Sequence, residues 1–277
     1  MLDGITRRLI GLALEEDLGP GDLTSRIISD DRTARANVVA REPLVLAGTD
    51  ALVEVFRQLD PRVWVEIPRG DGASIETREV IADVSGPARS ILSGERLALN
   101  LLQRLCAIAT RAREATEMVG GTNARIVDTR KTTPGLRALE KAAVRAGGAH
   151  NHRFGLFDGV LIKDNHIADL GSITAAVRRA REVVHHLVKI ECECDTLAQV
   201  DEAVSAGADV VLLDNMDVAT LREAVSRVAG RALTEASGGI TWTNLRDVAA
   251  TGVDFISMGA LTHTVRAMDV ALDWSAE

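Results

Sequence analysis

The residues of this chain best suited to chemistry crowd between Asp128 and His166, in the stretch DTRKTTPGLRALEKAAVRAGGAHNHRFGLFDGVLIKDNH. Arg130, Lys131, Arg137, Lys141, Arg145, Arg153 and Lys163 gather there, in a protein of 277 residues whose formal net charge is −8. Cations concentrated against an acidic background predict a pocket for a small polyanion. Arg137, Lys141 and Arg145 are spaced by four and read as the solvated face of a helix. Arg130–Lys131 and Lys163 differ, because each closes an apolar, strand-like run (ARIVDT, GVLIKD), where a parallel sheet presents side chains to a site. The guanidinium groups of Arg130 and Arg153 offer paired donors matched to a carboxylate, whereas Lys131 and Lys163 act as point charges. His152, in HNHR between two glycine-containing turns, reads as a ligand contact. His150, His185 and His186 carry no such signal, and His166 and His263 can each line a site or cap a loop.

Glu193 and Asp214 end two further strand-like runs. Two carboxylates beside so many cations suit Mg²⁺ together with ribose hydroxyls, or else they neutralise Lys163 and Lys189. Ser237–Gly238–Gly239 and Gly259–Ala260 follow the last two runs. Such glycine turns can expose successive backbone N–H groups, and a helix start favours an anion, so both loops read as a phosphate cradle; a glycine pair alone serves equally well as a turn.

The elements that must position these groups alternate from residue 124 onward, at intervals of roughly 20 to 35 residues, as repeated βα units do. Six strand-like runs span 124–129, 159–164, 186–194, 208–215, 232–237 and 253–259. Helical spacing fills Asp169–Val184, Thr196–Ala206, Val218–Val228 and Thr243–Ala250. Polar residues at or just beyond the carboxyl ends of all six strands favour an incomplete parallel α/β barrel over an open doubly wound sheet. Residues 1–117 read differently, as an α+β domain. A helix is expected over Asp3–Glu16, a strand at Ala34–Arg41, a helix at Gly48–Leu59, strands near Val63–Ile67 and Glu79–Val84, and a long helix from Ile91 to about Val119. Residues 118–277 form the barrel domain, with a C-terminal helix packing back on the first.

Composition narrows the function classes. No apolar run approaches the roughly 20 residues that cross a bilayer, and the N-terminal stretch runs into Glu15, Glu16 and Asp17 without a cleavage site, which predicts no membrane role. Aromatic residues make up 3% of the chain and tyrosine is absent, so stacking platforms for nucleic acid are not expected. Three cysteines, Cys106, Cys192 and Cys194, are too few for a disulfide framework and predict a cytoplasmic protein. In an extended strand Cys192 and Cys194 share a face opposite Glu191 and Glu193, which favours packing over a metal site.

Taken together, EDLGPGDLTS, SGERLALNLLQRLCAIAT, DTRKTTPGLRALEKAAVRAGGAHNHR, LIKDNH, VLLDNM, EASGGI and ISMGALTH closely resemble the quinolinate phosphoribosyltransferase family over nearly the whole chain. The resemblance implies an N-terminal α/β domain, an incomplete barrel, and dimers or larger homo-oligomers in which a neighbouring subunit completes each site. It implies two small-molecule substrates, quinolinate and phosphoribosyl pyrophosphate, with Mg²⁺ and no organic cofactor. Carried over by position, Arg130, His152, Arg153 and Lys163 surround the dicarboxylate, and Arg96 reaches in from the partner. Lys131, Lys163, Glu193 and Asp214 match the positions around phosphoribosyl pyrophosphate and Mg²⁺, while Ser237, Gly238, Gly239, Gly259 and Ala260 match the phosphate loops. Thr129 and Met258 flank these and complete the set. A lysine ending a barrel strand also fits a Schiff-base aldolase, which has no use for the arginine cluster. Non-catalytic relatives associated with molybdenum transport share the fold, and the intact DTRKT and KDNH segments argue against that branch.

Overall fold

The computed structural model describes residues 2–275, which divide into two compact units. The first comprises the chain up to Arg113 together with Thr132–Gly148 and the stretch from Ala260 onward; the second comprises Glu114–Lys131 and Ala149–Gly259. The chain thus leaves the first unit after Arg113 and returns to it twice.

The first unit opens with helix α1 (Gly4–Leu18), started by Asp3, whose carboxylate accepts the Thr6 N–H at 2.6 Å. Strand β1 (Thr33–Ala40), the short β2 (Leu44–Val45), α2 (Thr49–Leu59), β3 (Trp64–Glu66), the short β4 (Ser74–Ile75) and β5 (Val80–Pro87) follow. Helix α3 (Ala88–Met118) begins in this unit, and its apolar face supplies Ile91, Leu102 and Leu105 to a core that also holds Ile10, Leu52 and Phe56. Burial of side chains of this size supplies about 1.5–3 kcal/mol each.

The second unit is the barrel. Strands β6 (Arg125–Val127), β7 (Val160–Ile162), β8 (Ile190–Cys194), β9 (Val210–Asp214), β10 (Leu233–Ser237) and β11 (Phe255–Ser257) pair in parallel in the order β6-β11-β10-β9-β8-β7. The sheet opens between β7 and β6, so the expected incomplete barrel is present, with six strands among the described residues. Polar residues start the crossover helices. Ser172 caps the helix Ile173–Val183, Thr196 and Gln199 form a capping box at Leu197–Ala206, and Asp217 caps Val218–Val228.

Three expectations need correction. The segment after the barrel is not a C-terminal helix: Val270–Ser275 is a strand that pairs antiparallel with β1, Val38 facing Leu272 and Ala36 facing Trp274. Alternation of Val270, Leu272 and Trp274 at period two decides this, over the helix-forming composition around them. The helix expected over Asp169–Val184 is two: a short one, Asp164–Leu170, follows β7 directly, and a second runs Ile173–Val183 after the break at Gly171. On the helix Arg137–Ala146, only Arg145 of the three cations is exposed; Lys141 is 1% exposed, beside Glu140, which is fully buried and paired with Arg104 at 2.7 Å. That face is therefore packed rather than solvated.

Candidate active site

Register brings the carboxyl ends of the barrel strands together. Ile162 pairs with Cys192, so the following residues, Lys163 and Glu193, fall side by side, and Ser237 lies opposite Asp214. The HNHR segment reaches the same edge by a strand-like step beside β6: the His150 N–H donates to Ile126 O at 2.8 Å, and the Asp128 N–H to His150 O at 3.1 Å. A cavity of about 680 Å³ results, lined by Thr129, Arg130, Lys131, His152, Arg153, Lys163, Glu193, Asp214, Ser237, Gly238 and Gly239, with Leu161, Leu212, Asn215, Glu235 and Ser257. Four predicted residues are not part of this lining. Arg96 is exposed on α3, Met258 is buried, and Gly259 and Ala260 lie beyond β11, with Ala260 starting a four-residue helix.

The Lys163 ammonium pairs with the Glu193 carboxylate. Lys189 is neutralised instead by Asp209, at 3.5 Å, at the opposite end of the strands. Asp214 Oδ2 accepts from the Asn215 side-chain amide at 2.6 Å. Gly238 and Gly239 both have positive φ, +77° and +62°, and the turn they make is held by the Asn215 N–H donating to Ser237 O at 2.9 Å. His166 does not line the cavity; its Nδ1 accepts the Lys163 N–H at 2.9 Å and closes the start of the short helix after β7. Cys192 and Cys194 are fully buried, on the face of β8 away from the glutamates, as packing requires.

Beneath the rim lies a cluster that sequence reasoning did not assign to the site. Asp128 is fully buried; its Oδ1 accepts the His152 N–H at 2.9 Å and its Oδ2 the Asn151 amide at 2.7 Å. His152 Nδ1 accepts the Arg153 N–H at 2.7 Å, which leaves Nε2 to carry the proton and donate to Glu191 Oε2 at 2.9 Å. Glu235 Oε1 stands 3.7 Å from the same nitrogen. Glu191 and Glu235 are 6% and 4% exposed, and each has a buried Oε1 without a hydrogen-bond partner among the described residues. An orphaned buried oxygen costs about 1–3 kcal/mol. Ligand atoms of the three side chains lie within 4.8 Å of one another, near enough to share one proton or one cation.

Electrostatics follow from this crowding. Burial, then the neighbouring charge of Glu191, pushes the Glu235 carboxyl well above the ordinary carboxylate range. Burial also disfavours a charged His152, yet the hydrogen bond to Glu191 and the charge of Glu235 outweigh it and raise its pKa. Burial and the nearby Arg130 charge lower that of Arg153, which stays cationic at neutral pH. The alternation of β8 puts Glu191 on the same face as Glu193, a signal that could have found it; acidic residues in a barrel interior run against what a core predicts.

Fold and site together define an α/β barrel with a cavity rich in cations and carboxylates at the carboxyl edge of its strands. Family models describe the two parts of the chain, the quinolinate phosphoribosyl transferase N-terminal domain over residues 22–106 and its C-terminal domain over 108–273. The chain belongs to the quinolinate phosphoribosyltransferase family, and it is a phosphoribosyltransferase. It is 47% identical over 267 residues to a probable nicotinate-nucleotide pyrophosphorylase [carboxylating] of Bacillus subtilis, covering 96% of this chain and 92% of that one. The corresponding Mycobacterium leprae protein is 42% identical, with 96% of both covered. A solved nicotinate-nucleotide pyrophosphorylase from Francisella tularensis superposes with a TM-score of 0.94 at 36% identity, over 99% of this chain and 98% of that one.

Proposed function

We propose that the chain transfers the phosphoribosyl group of phosphoribosyl pyrophosphate to quinolinate with loss of CO₂, giving nicotinate mononucleotide and pyrophosphate for de novo NAD biosynthesis. One observation carries this reading: a single cavity has two chemically different walls. The cations Arg130, Lys131, Arg153 and Lys163, with His152 among them, come from the two edges that border the opening of the sheet, and the carboxylates and the glycine turn come from its middle strands.

Quinolinate is a pyridine with two adjacent carboxylates, and Arg130, Arg153 and Lys163 supply the cationic donors its dianion requires, with the His152 ring beside them. Lys131 and the Ser237–Gly239 turn suit the phosphates of the second substrate. Holding both in one cavity sets the ring nitrogen against ribose C1. As pyrophosphate departs, the ribose becomes cation-like. The carboxylates of Glu193 and Asp214 favour that charge, and Lys131 and Lys163 favour the leaving group. The ring nitrogen, positively charged after transfer, then stabilises the carbanion left when CO₂ departs, so this step needs no organic cofactor.

Glu193 and Asp214 also fit Mg²⁺, because both offer hard carboxylate oxygens at the cavity wall, and this ion takes one or two carboxylates with phosphate oxygens and water. Bound there, Mg²⁺ would neutralise charge developing on pyrophosphate. Arg96, exposed on α3, is assigned to the active site of a neighbouring subunit in a homodimer or larger homo-oligomer. Three buried, unpaired cysteines support a cytoplasmic setting; among the described residues no helix is long and apolar enough to cross a membrane.

The test is direct. Protein incubated with phosphoribosyl pyrophosphate, Mg²⁺ and either quinolinate or nicotinate is assayed for nucleotide and CO₂. Equal amounts of both products from quinolinate alone are expected. Nucleotide from nicotinate and none from quinolinate would overturn the substrate assignment.

A further inference from the structure

We propose that Glu191 and Glu235 are positioning residues for the acceptor half of the site, acting through the ring of His152. Both project from the inner face of the sheet, one side-chain layer below the rim residues Glu193 and Ser237, and meet at His152 Nε2, at 2.9 Å and 3.7 Å. The ring is gripped on its other side as well, since Nδ1 accepts the Arg153 N–H at 2.7 Å. Asp128 holds the backbone of the same dipeptide, and Gly159 O holds the Arg153 guanidinium at 3.0 Å. The His152–Arg153 pair is thus fixed from two strands and from the residues just after β6 and just before β7, with the imidazole as the link between the buried carboxylates and the cationic wall.

A packing role does not explain these glutamates. Both carboxyls are buried, and an apolar side chain of similar volume would fill the same space without the cost of desolvating them. What an apolar residue cannot do is accept the Nε2 proton. By accepting it, Glu191 keeps the ring in one tautomer, with Nδ1 available to the Arg153 N–H, and Glu235 holds the ring on the same side. The consequence falls first on the wall that takes the dicarboxylate, because the hydrogen bonds named here end on His152 and Arg153.

This proposal rests on the reading that His152 and Arg153 face the acceptor's carboxylates, and the experiment separates the two. E191Q, E235Q and each combined with H152A are compared by steady-state kinetics with both substrates, while heteronuclear NMR of the imidazole nitrogens, recorded at a pH high enough that the ring is neutral, reports the His152 tautomer. E191Q is expected to raise KM for quinolinate about tenfold while changing KM for phosphoribosyl pyrophosphate less than about twofold, and to add less than about twofold in the H152A background. E235Q should behave the same way with a smaller effect. Equal changes in both KM values, or an effect undiminished without His152, overturn the proposal. If the wild type does not turn over quinolinate, the reading of the reaction fails, and the tautomer decides the positioning claim alone. A single Nε2–H form in the wild type that becomes mixed in E191Q supports it, and a mixed form in the wild type overturns it. Should a glutamine variant fail to fold, the wild-type spectrum still judges the claim.

Discussion

A methyl group at Gly238 would have nowhere to go. A Cβ there would stand 2.3 Å from Asn215 Oδ1, on a backbone with φ of +77° that side chains rarely adopt. Asn215 follows Asp214, so any shift to relieve the clash moves the Ser237–Gly239 turn, proposed above to hold phosphate, together with Asp214. Gly238→Ala is therefore expected to raise KM for phosphoribosyl pyrophosphate about tenfold or more, with quinolinate binding to the isolated protein unchanged by calorimetry. An unaltered KM would remove this turn from the phosphate site. The glycines themselves were legible in EASGGI, because a glycine pair closing a strand-like run invites that reading. The reason they must be glycine was not, since a sequence does not say which side chain stands across the neighbouring strand. The same limit hid Asp128 and Glu235, which are read only when distant parts of the chain converge on one histidine; the alternation of β8 marks Glu191 but not its partner.

Helix α2 shows how an element can be pinned by one carboxylate. Glu54 accepts from Arg57 Nε at 2.7 Å and Nη2 at 2.6 Å, and from Gln58 Nε2 at 2.9 Å; Gln58 also donates to Arg7 O on α1, tying the two helices. The Arg57 guanidinium holds the Glu54 carboxyl at about 2, against an ordinary value of 4.5. A lowered folded-state value means the stabilisation is complete above pH 4.5 and is lost as pH falls from there toward 2. Arg57 is exposed to solvent, so the contribution is roughly 1 kcal/mol rather than the full amount the shift implies. Glu54→Gln should thus be less stable than the wild type by that amount near neutrality and equal to it by about pH 2 in urea titrations, and a gap that persists in acid would assign the effect to packing. At this scale the sequence was read well where periodicity was long. All six barrel strands, the main crossover helices and α3 lie where alternation and helical spacing place them. It was read poorly for elements of a few residues, such as β2 and β4, and at the C-terminal strand, whose partner β1 lies more than 200 residues away.

At the scale of the whole molecule, the assignment of Arg96 to a neighbouring subunit's active site makes a quantitative demand. Arg96 is exposed on α3 and takes no part in the cavity lining, while Lys163 ends a barrel strand inside it. If each site joins the barrel of one subunit to Arg96 of another, Arg96→Ala and Lys163→Ala homodimers are both inactive for different reasons. In a mixed dimer both lesions fall in one site, because the barrel of the Lys163→Ala subunit meets the arm of the Arg96→Ala subunit. The other site is then wild type in every residue. Random reassortment of equal amounts makes about half the dimers mixed, each with one working site, so the mixture should recover about a quarter of wild-type activity from two inactive proteins. Sites contained within one chain predict no recovery at any mixing ratio. Unfolding and refolding the two variants together, followed by assay and by separation on differently tagged subunits, distinguishes these outcomes. Recovered activity that travels only with doubly tagged species would establish that the dicarboxylate is read by two chains.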